Sequence, residues 1–180
     1  MQERSTDRAT LLIGSTLSMW LVWAADLVWP GDLGHGIVPR TSYGLSGIVM
    51  APLIHANLQH LLANTIPFVV LGAIIVMRGV RAFVTVLIVS ALVAGAGTWL
   101  FGASNTMHIG ASGIVFGFFG YLLLRAVYDQ RVSSLLIAIV LAVLYGASFL
   151  TSLMPAQGVS WSGHVFGFLG GIAAARLRYR

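Results

Sequence analysis

Six apolar runs, at residues 9–29, 60–77, 82–101, 112–127, 134–153 and 161–177, are separated by short stretches that hold nearly all the charge. The hydrocarbon core of a bilayer is about 30 Å thick and a helix rises about 1.5 Å per residue, so about twenty apolar residues cross it. Hydrophobic residues make up 58% of the chain and charged residues 8%, too few to solvate six such helices in water. The chain is therefore expected to be an all-α integral membrane protein, a bundle of six spans. With no cysteine it has no disulfide framework, thiolate metal site or thiol nucleophile.

The net charge of +5 invites a nucleic-acid reading in a soluble domain. Here the basic residues flank apolar spans and no aromatic-basic strip interleaves them, so nucleic acid is excluded as a partner. All ten basic residues are arginines. In an alternating six-span arrangement Arg40 alone falls on one side; Arg4, Arg8, Arg78, Arg81, Arg125, Arg131, Arg176, Arg178 and Arg180 fall on the other. By the positive-inside rule that arginine-rich side is the cytosol. Residues 1–8 then form a cytosolic tail, 9–177 the membrane domain and 178–180 a basic cytosolic tail. Trp20, Trp23 and Trp29 suit an aromatic belt at the outer interface, with Asp26 an acid at headgroup level. Residues 30–57 form a long Gly- and Pro-bearing loop with apolar patches, expected to lie half-immersed or against the bundle.

Three polar constellations begin on the outer side. In Gly110-Ala111-Ser112-Gly113 a hydroxyl sits between glycines at the mouth of an apolar helix, where backbone can approach closely and the Ser112 N–H has no helical acceptor. It is the seat of either a nucleophile or a simple helix cap. In His55-Ala56-Asn57-Leu58-Gln59-His60-Leu61-Leu62-Ala63-Asn64, His60 and Asn64 share a helix face. They serve either as interhelical glue or as neutral donors to a developing oxyanion. In Ser162-Gly163-His164, Gly167 and Gly171 follow His164 on its own face, as Gly117 follows Gly113 on the fourth span. Small residues four apart let membrane helices pack backbone to backbone. If the two ribbons meet, Ser112 and His164 come together at one depth. No carboxylate is tied to His164 by any motif, which leaves a Ser–His dyad with a ring oriented by packing.

Together, Gly-Ala-Ser-Gly at 110–113, His55, His60 and Asn64 on the second span, and Gly-His-x-x-Gly at 163–167 resemble the rhomboid intramembrane serine proteases. The resemblance implies a six-transmembrane-helix bundle with a membrane-embedded first loop (31–57) and a cap loop (154–160). It implies Ser112 as nucleophile, His164 as general base, and His60, Asn64 and the Ser112 N–H as oxyanion donors, with no cofactor and no metal. Its partners would be the lipid bilayer and single-span transmembrane substrates, cut near their outward-facing ends. The expected place is a bacterial or archaeal cell membrane, with both termini cytosolic and the site opening outward. The chain departs from the family pattern at Arg40-Thr41-Ser42-Tyr43, where many rhomboids carry a Trp-Arg pair, and at Phe116, where a Tyr often stacks on the catalytic His.

Rival readings are a non-catalytic rhomboid-like binder of transmembrane helices, which would not need both Ser112 and His164, and a transporter. A transporter expects polar groups through the full depth, whereas these gather in the outer half. A metalloprotease lacks its His-Glu-x-x-His.

Overall fold

A computed structural model describes residues 5–29, 35–152, 154 and 158–179, with side chains to Leu177. Residues 1–4 of the N-terminal tail, 30–34 at the start of the first loop, 153, 155–157 of the cap loop and Arg180 lie outside the described residues. Among the described residues seven α-helices follow in order: α1 (Ser5–Val28), α2 (Gly47–Met50), α3 (Leu58–Val76), α4 (Val80–Phe101), α5 (Ser112–Asp129), α6 (Val132–Ser152) and α7 (Trp161–Tyr179). Among the described residues there is no strand, only an isolated antiparallel bridge between Ile37 and His108.

α1, α3, α4, α5 and α6 are long and apolar enough to cross a membrane, which makes the chain a multi-pass membrane protein. α7 is as long as α3, 19 residues each. Its arginines, His164 and glycines keep it outside that set, and its main packing is against α5 and α4. Most helix ends lie one or two residues from the spans read off the sequence, and two of the differences reach into the expected polar tails. α1 starts at Ser5, so half of the expected polar tail is helix, and α7 continues to Tyr179 through most of the expected basic tail. Both extensions are polar turns that need no apolar partner, so hydropathy does not mark them.

The first loop packs on the bundle: 3-10 turns at Tyr43–Leu45 and Ala51–Leu53 flank α2, which lies against α4. Gly95 makes that approach possible, since a Cβ there would meet Ile48 Cγ2 at 2.6 Å. Arg40, with φ 59°, anchors the loop. Its guanidinium donates to Leu100 O (2.9 Å), Gly102 O (2.8 Å) and Ser104 Oγ (2.6 Å), which caps the otherwise unpaired carbonyls at the end of α4. Trp99 Nε1 donates to Thr41 O at 2.9 Å, tying the loop to α4 a second time.

At the end of the bundle away from Ser112, Asp129 is held by Arg78, by Arg125 one turn earlier on α5, and by the Ser134 hydroxyl at 2.9 Å. Three chain segments are thereby tied at one carboxylate. The middle of the bundle is a cluster of Phe68, Phe83 and Phe118, each at most 2% exposed. Trp20, expected from the sequence at the interface, donates to Thr65 Oγ1 on α3 at 3.1 Å.

The glycine ribbons of α5 and α7 meet. A Cβ on Gly167 would collide with the Gly113 carbonyl, one on Gly171 with the Gly117 carbonyl, and one on Gly113 would lie 3.2 Å from Gly163 O. Only bare backbone permits this approach, and it brings the first turns of the two helices side by side.

Candidate active site

Ser112 opens α5, and the cap position before it is Ala111, which offers no side-chain bond to the helix. The Ser112 hydroxyl is therefore not used as a cap. Its Oγ lies 2.9 Å from His164 Nε2, across 52 residues of chain. The other ring nitrogen, Nδ1, lies 3.2 Å from Ser152 O. A carbonyl can only accept, so Nδ1 carries the proton and Nε2 is left to accept from the Ser112 hydroxyl. Ser152 ends α6, where the last carbonyls have no helical donor and carry the negative end of the helix dipole. Phe116, one turn into α5, stacks on the imidazole at 4.2 Å between centroids with planes 28° apart. The ring of His164, 7% exposed, is thus fixed at one edge by a helix end and on one face by an aromatic.

His60 and Asn64 converge on the chain just before Ser112. A Cβ on Gly110 would lie 2.6 Å from His60 Nε2 and 3.6 Å from Asn64 Nδ2, and Gly110 has φ +102°. This is a position where close approach and backbone conformation both require glycine. His60 Nδ1 faces the Ala56 N–H at 3.5 Å, which leaves Nε2–H as the donor toward Gly110. Asn64 gives one N–H to His60 O at 2.9 Å and keeps a second to offer. Asn57 caps α3 by accepting from His60 N at 2.8 Å, which fixes where the helix and its His60 begin.

Ser112, His164, His60, Asn64 and Phe116 line one open cavity of about 1130 Å³. One wall is Ile66 and Pro67 of α3 and the opposite wall Tyr145 and Ser148 of α6. Behind Ser112 lies a second pocket of about 30 Å³, lined in part by Thr98, His108 and Ser160. That is room for about one water molecule with polar partners.

Two histidines in loops complete the surroundings. His55, within the quoted motif but given no role by its sequence, is buried. Its Nδ1 faces Leu53 O at 3.3 Å and its Nε2 faces the Ala111 N–H at 3.5 Å, so it supports the residue before Ser112. Burial, with His60 5.1 Å away ring to ring, pushes His55 down to about 4. His108, outside every motif, bonds Ser160 and Thr106, and burial lowers its pKa also. Neither Ser152, a backbone carbonyl, nor His108 carries a signal in the sequence that ties it to the site.

The Rhomboid domain description matches residues 39–180. An uncharacterized protein of Mycobacterium tuberculosis is 40% identical over 152 residues, 79% of this chain and 63% of its own length. One of Mycobacterium leprae is 40% identical over 142 residues, 74% of this chain and 56% of its own. A Bacillus subtilis protein named provisionally as a rhomboid protease is 31% identical over 124 residues, 66% of this chain and 60% of its own. The chain thus spans about three-fifths of the length of these relatives. The matched segment holds all four of Ser112, His164, His60 and Asn64, and on that match the chain belongs to the rhomboid family.

Proposed function

We propose that this chain is an intramembrane serine endopeptidase working through a Ser112–His164 dyad. The observation that carries the reading is the 2.9 Å approach of His164 Nε2 to Ser112 Oγ, with Nδ1 committed to Ser152 O, at the wall of an open cavity. Family membership supports it, rhomboids being generally serine intramembrane proteases.

In this reading Ser112 Oγ attacks a peptide carbonyl while His164 Nε2 takes its proton. The oxyanion is met by His60 Nε2–H, the free Asn64 N–H and the Ser112 N–H. His164 returns the proton to the leaving amine, and a water, deprotonated by the same imidazole, hydrolyses the acyl-enzyme. The Ser152 carbonyl takes the place of a triad carboxylate: it holds the tautomer and faces the imidazolium with the negative end of α6. The 9–177 segment acts as a six-span catalytic domain, α7 being the sixth span, with residues 31–57 embedded in the membrane as the first loop. Both termini are cytosolic, the site opens outward across the cell membrane, and 154–160 caps it. Single-span substrates enter beside α6, which packs mainly on α5 and leaves the cavity wall between α3 and α6 open.

The test is incubation of the detergent-purified protein with a generic single-span substrate, beside Ser112→Ala and His164→Ala. Cleavage by the native chain alone is expected. Binding without turnover would instead support a non-catalytic binder of transmembrane helices.

A further inference from the structure

The glycine contact between α5 and α7 fixes how close the two helices come, and Phe168 against Gly120 and Phe119 sets their register deeper in the bundle, whereas the first turns that carry Ser112 and His164 meet as backbone. The dyad needs that register, since a slide of about 1 Å is enough to spoil a reacting geometry. Just before the two helices begin, a second pair joins the segments that lead into them, with the same separation of 52 residues: His108, four residues ahead of Ser112, and Ser160, immediately before α7. His108 Nδ1 lies 2.8 Å from Ser160 Oγ.

The proton positions in this pair follow from its neighbours. Thr106 Oγ1 donates to Ala103 O at 2.6 Å, so toward His108 Nε2, 2.8 Å away, it can only accept. Nε2 therefore carries the proton and Nδ1 accepts from the Ser160 hydroxyl. Ser160 Oγ in turn accepts from Gly163 N at 3.3 Å, and Ser160 O accepts from His164 N at 3.0 Å, so Ser160 forms the first turn of α7 around the base itself. On the other side, His108 exchanges both backbone bonds with Ile37, each 2.9 Å, which ties in the first loop. One directional chain runs from the segment entering Ser112 to the helix start that presents His164.

We propose that His108 is a positioning residue for the dyad, acting through Ser160 to lock the register of α5 against α7. This rests on the protease reading above. His108→Phe keeps a ring of similar size and removes both polar atoms, whereas His108→Asn keeps an acceptor near the Nδ1 position. Cleavage of a single-span substrate by the detergent-purified chain is expected to fall about ten- to a hundredfold in kcat for His108→Phe, with KM changed less than about twofold. His108→Asn should recover to within about threefold of the native kcat, as should Ser160→Thr against the lower Ser160→Ala. Because the two groups act as one unit, His108→Phe combined with Ser160→Ala should cost no more than the worse single change. Should His108→Phe fail to fold by thermal melt, the Ser160→Ala and Ser160→Thr comparison carries the same decision. Native kcat in His108→Phe, no recovery in His108→Asn, or multiplying losses would overturn the register lock while leaving the protease reading standing. Absence of cleavage by the native chain relative to Ser112→Ala would overturn that reading and this role with it.

Discussion

Each nitrogen of His164 has one partner, Ser112 Oγ and Ser152 O, so the imidazole is poised in a single tautomer. Ser112→Ala and His164→Ala are each expected to lower kcat by at least about a thousandfold and to leave the fold intact. Together they should cost no more than either alone, because the two groups act as one unit. Turnover by either variant in the single-span assay would contradict the dyad. Asn64→Ala, removing a proposed oxyanion donor, should cost about 3–4 kcal/mol of transition-state stabilisation, read as kcat with little change in KM. His55 gives a pH prediction. The folded chain keeps this ring neutral down to about 4, against an ordinary value of 6.5, so between those limits the unfolded chain binds more protons. Its contribution to stability is complete above pH 6.5 and is lost as pH falls toward 4. Thermal melts across that window should show a decline that is shallower in His55→Asn. The groups facing it are His60 and the Leu53 carbonyl.

At the scale of elements, the contact between α5 and α7 depends on the absence of side chains. Gly117→Leu and Gly167→Leu would drive new atoms into Ser90 Oγ and the Gly113 carbonyl respectively. Membrane helices associate through packing rather than hydrophobic drive, so both variants are expected to lose melting temperature and activity together. Unchanged values would mean the ribbons do not bear the contact. The first loop depends on Arg40, whose guanidinium reaches three acceptors around the end of α4. The Arg40-Tyr43 departure from the family pattern therefore still supplies an anchor through an arginine. Arg40→Ala should loosen the loop and raise protease sensitivity near residues 38–45, measured by limited proteolysis, whereas Arg40→Lys should recover only part of it because Lys lacks the planar fork.

For the whole molecule, the proposed protease reading implies a substrate helix whose carbonyls are hidden in its own hydrogen-bond ladder, so that Ser112 would reach one only after a turn unwinds. Helix-weakening residues near the outer end lower that cost, Pro by as much as about 3 kcal/mol relative to Ala in water. Small side chains such as Ala suit the glycine-lined approach to Ser112. Replacing the helix-weakening residues of a cleaved substrate by Leu should slow kcat with little change in binding, and cleavage should map to the outward-facing end. Mapping to the cytosolic end would refute the outward-opening site. Hydropathy alone determined the membrane class and five of the long helices to within a few residues, because lipid requires long apolar runs and nothing else satisfies that pattern. The Gly-Ala-Ser-Gly, His-x-x-x-Asn and Gly-His-x-x-Gly pieces were also legible, since glycine spacing on a helix reports a face. The sequence could not say that α6 ends with its Ser152 carbonyl on His164, that Arg40 turns back onto α4, or that His108 meets Ser160. Those contacts join backbone groups and loop residues far apart in the chain, where no periodicity operates. Only the packing of the helices and of the loops upon them decides which of many hydrogen-bonding groups become neighbours.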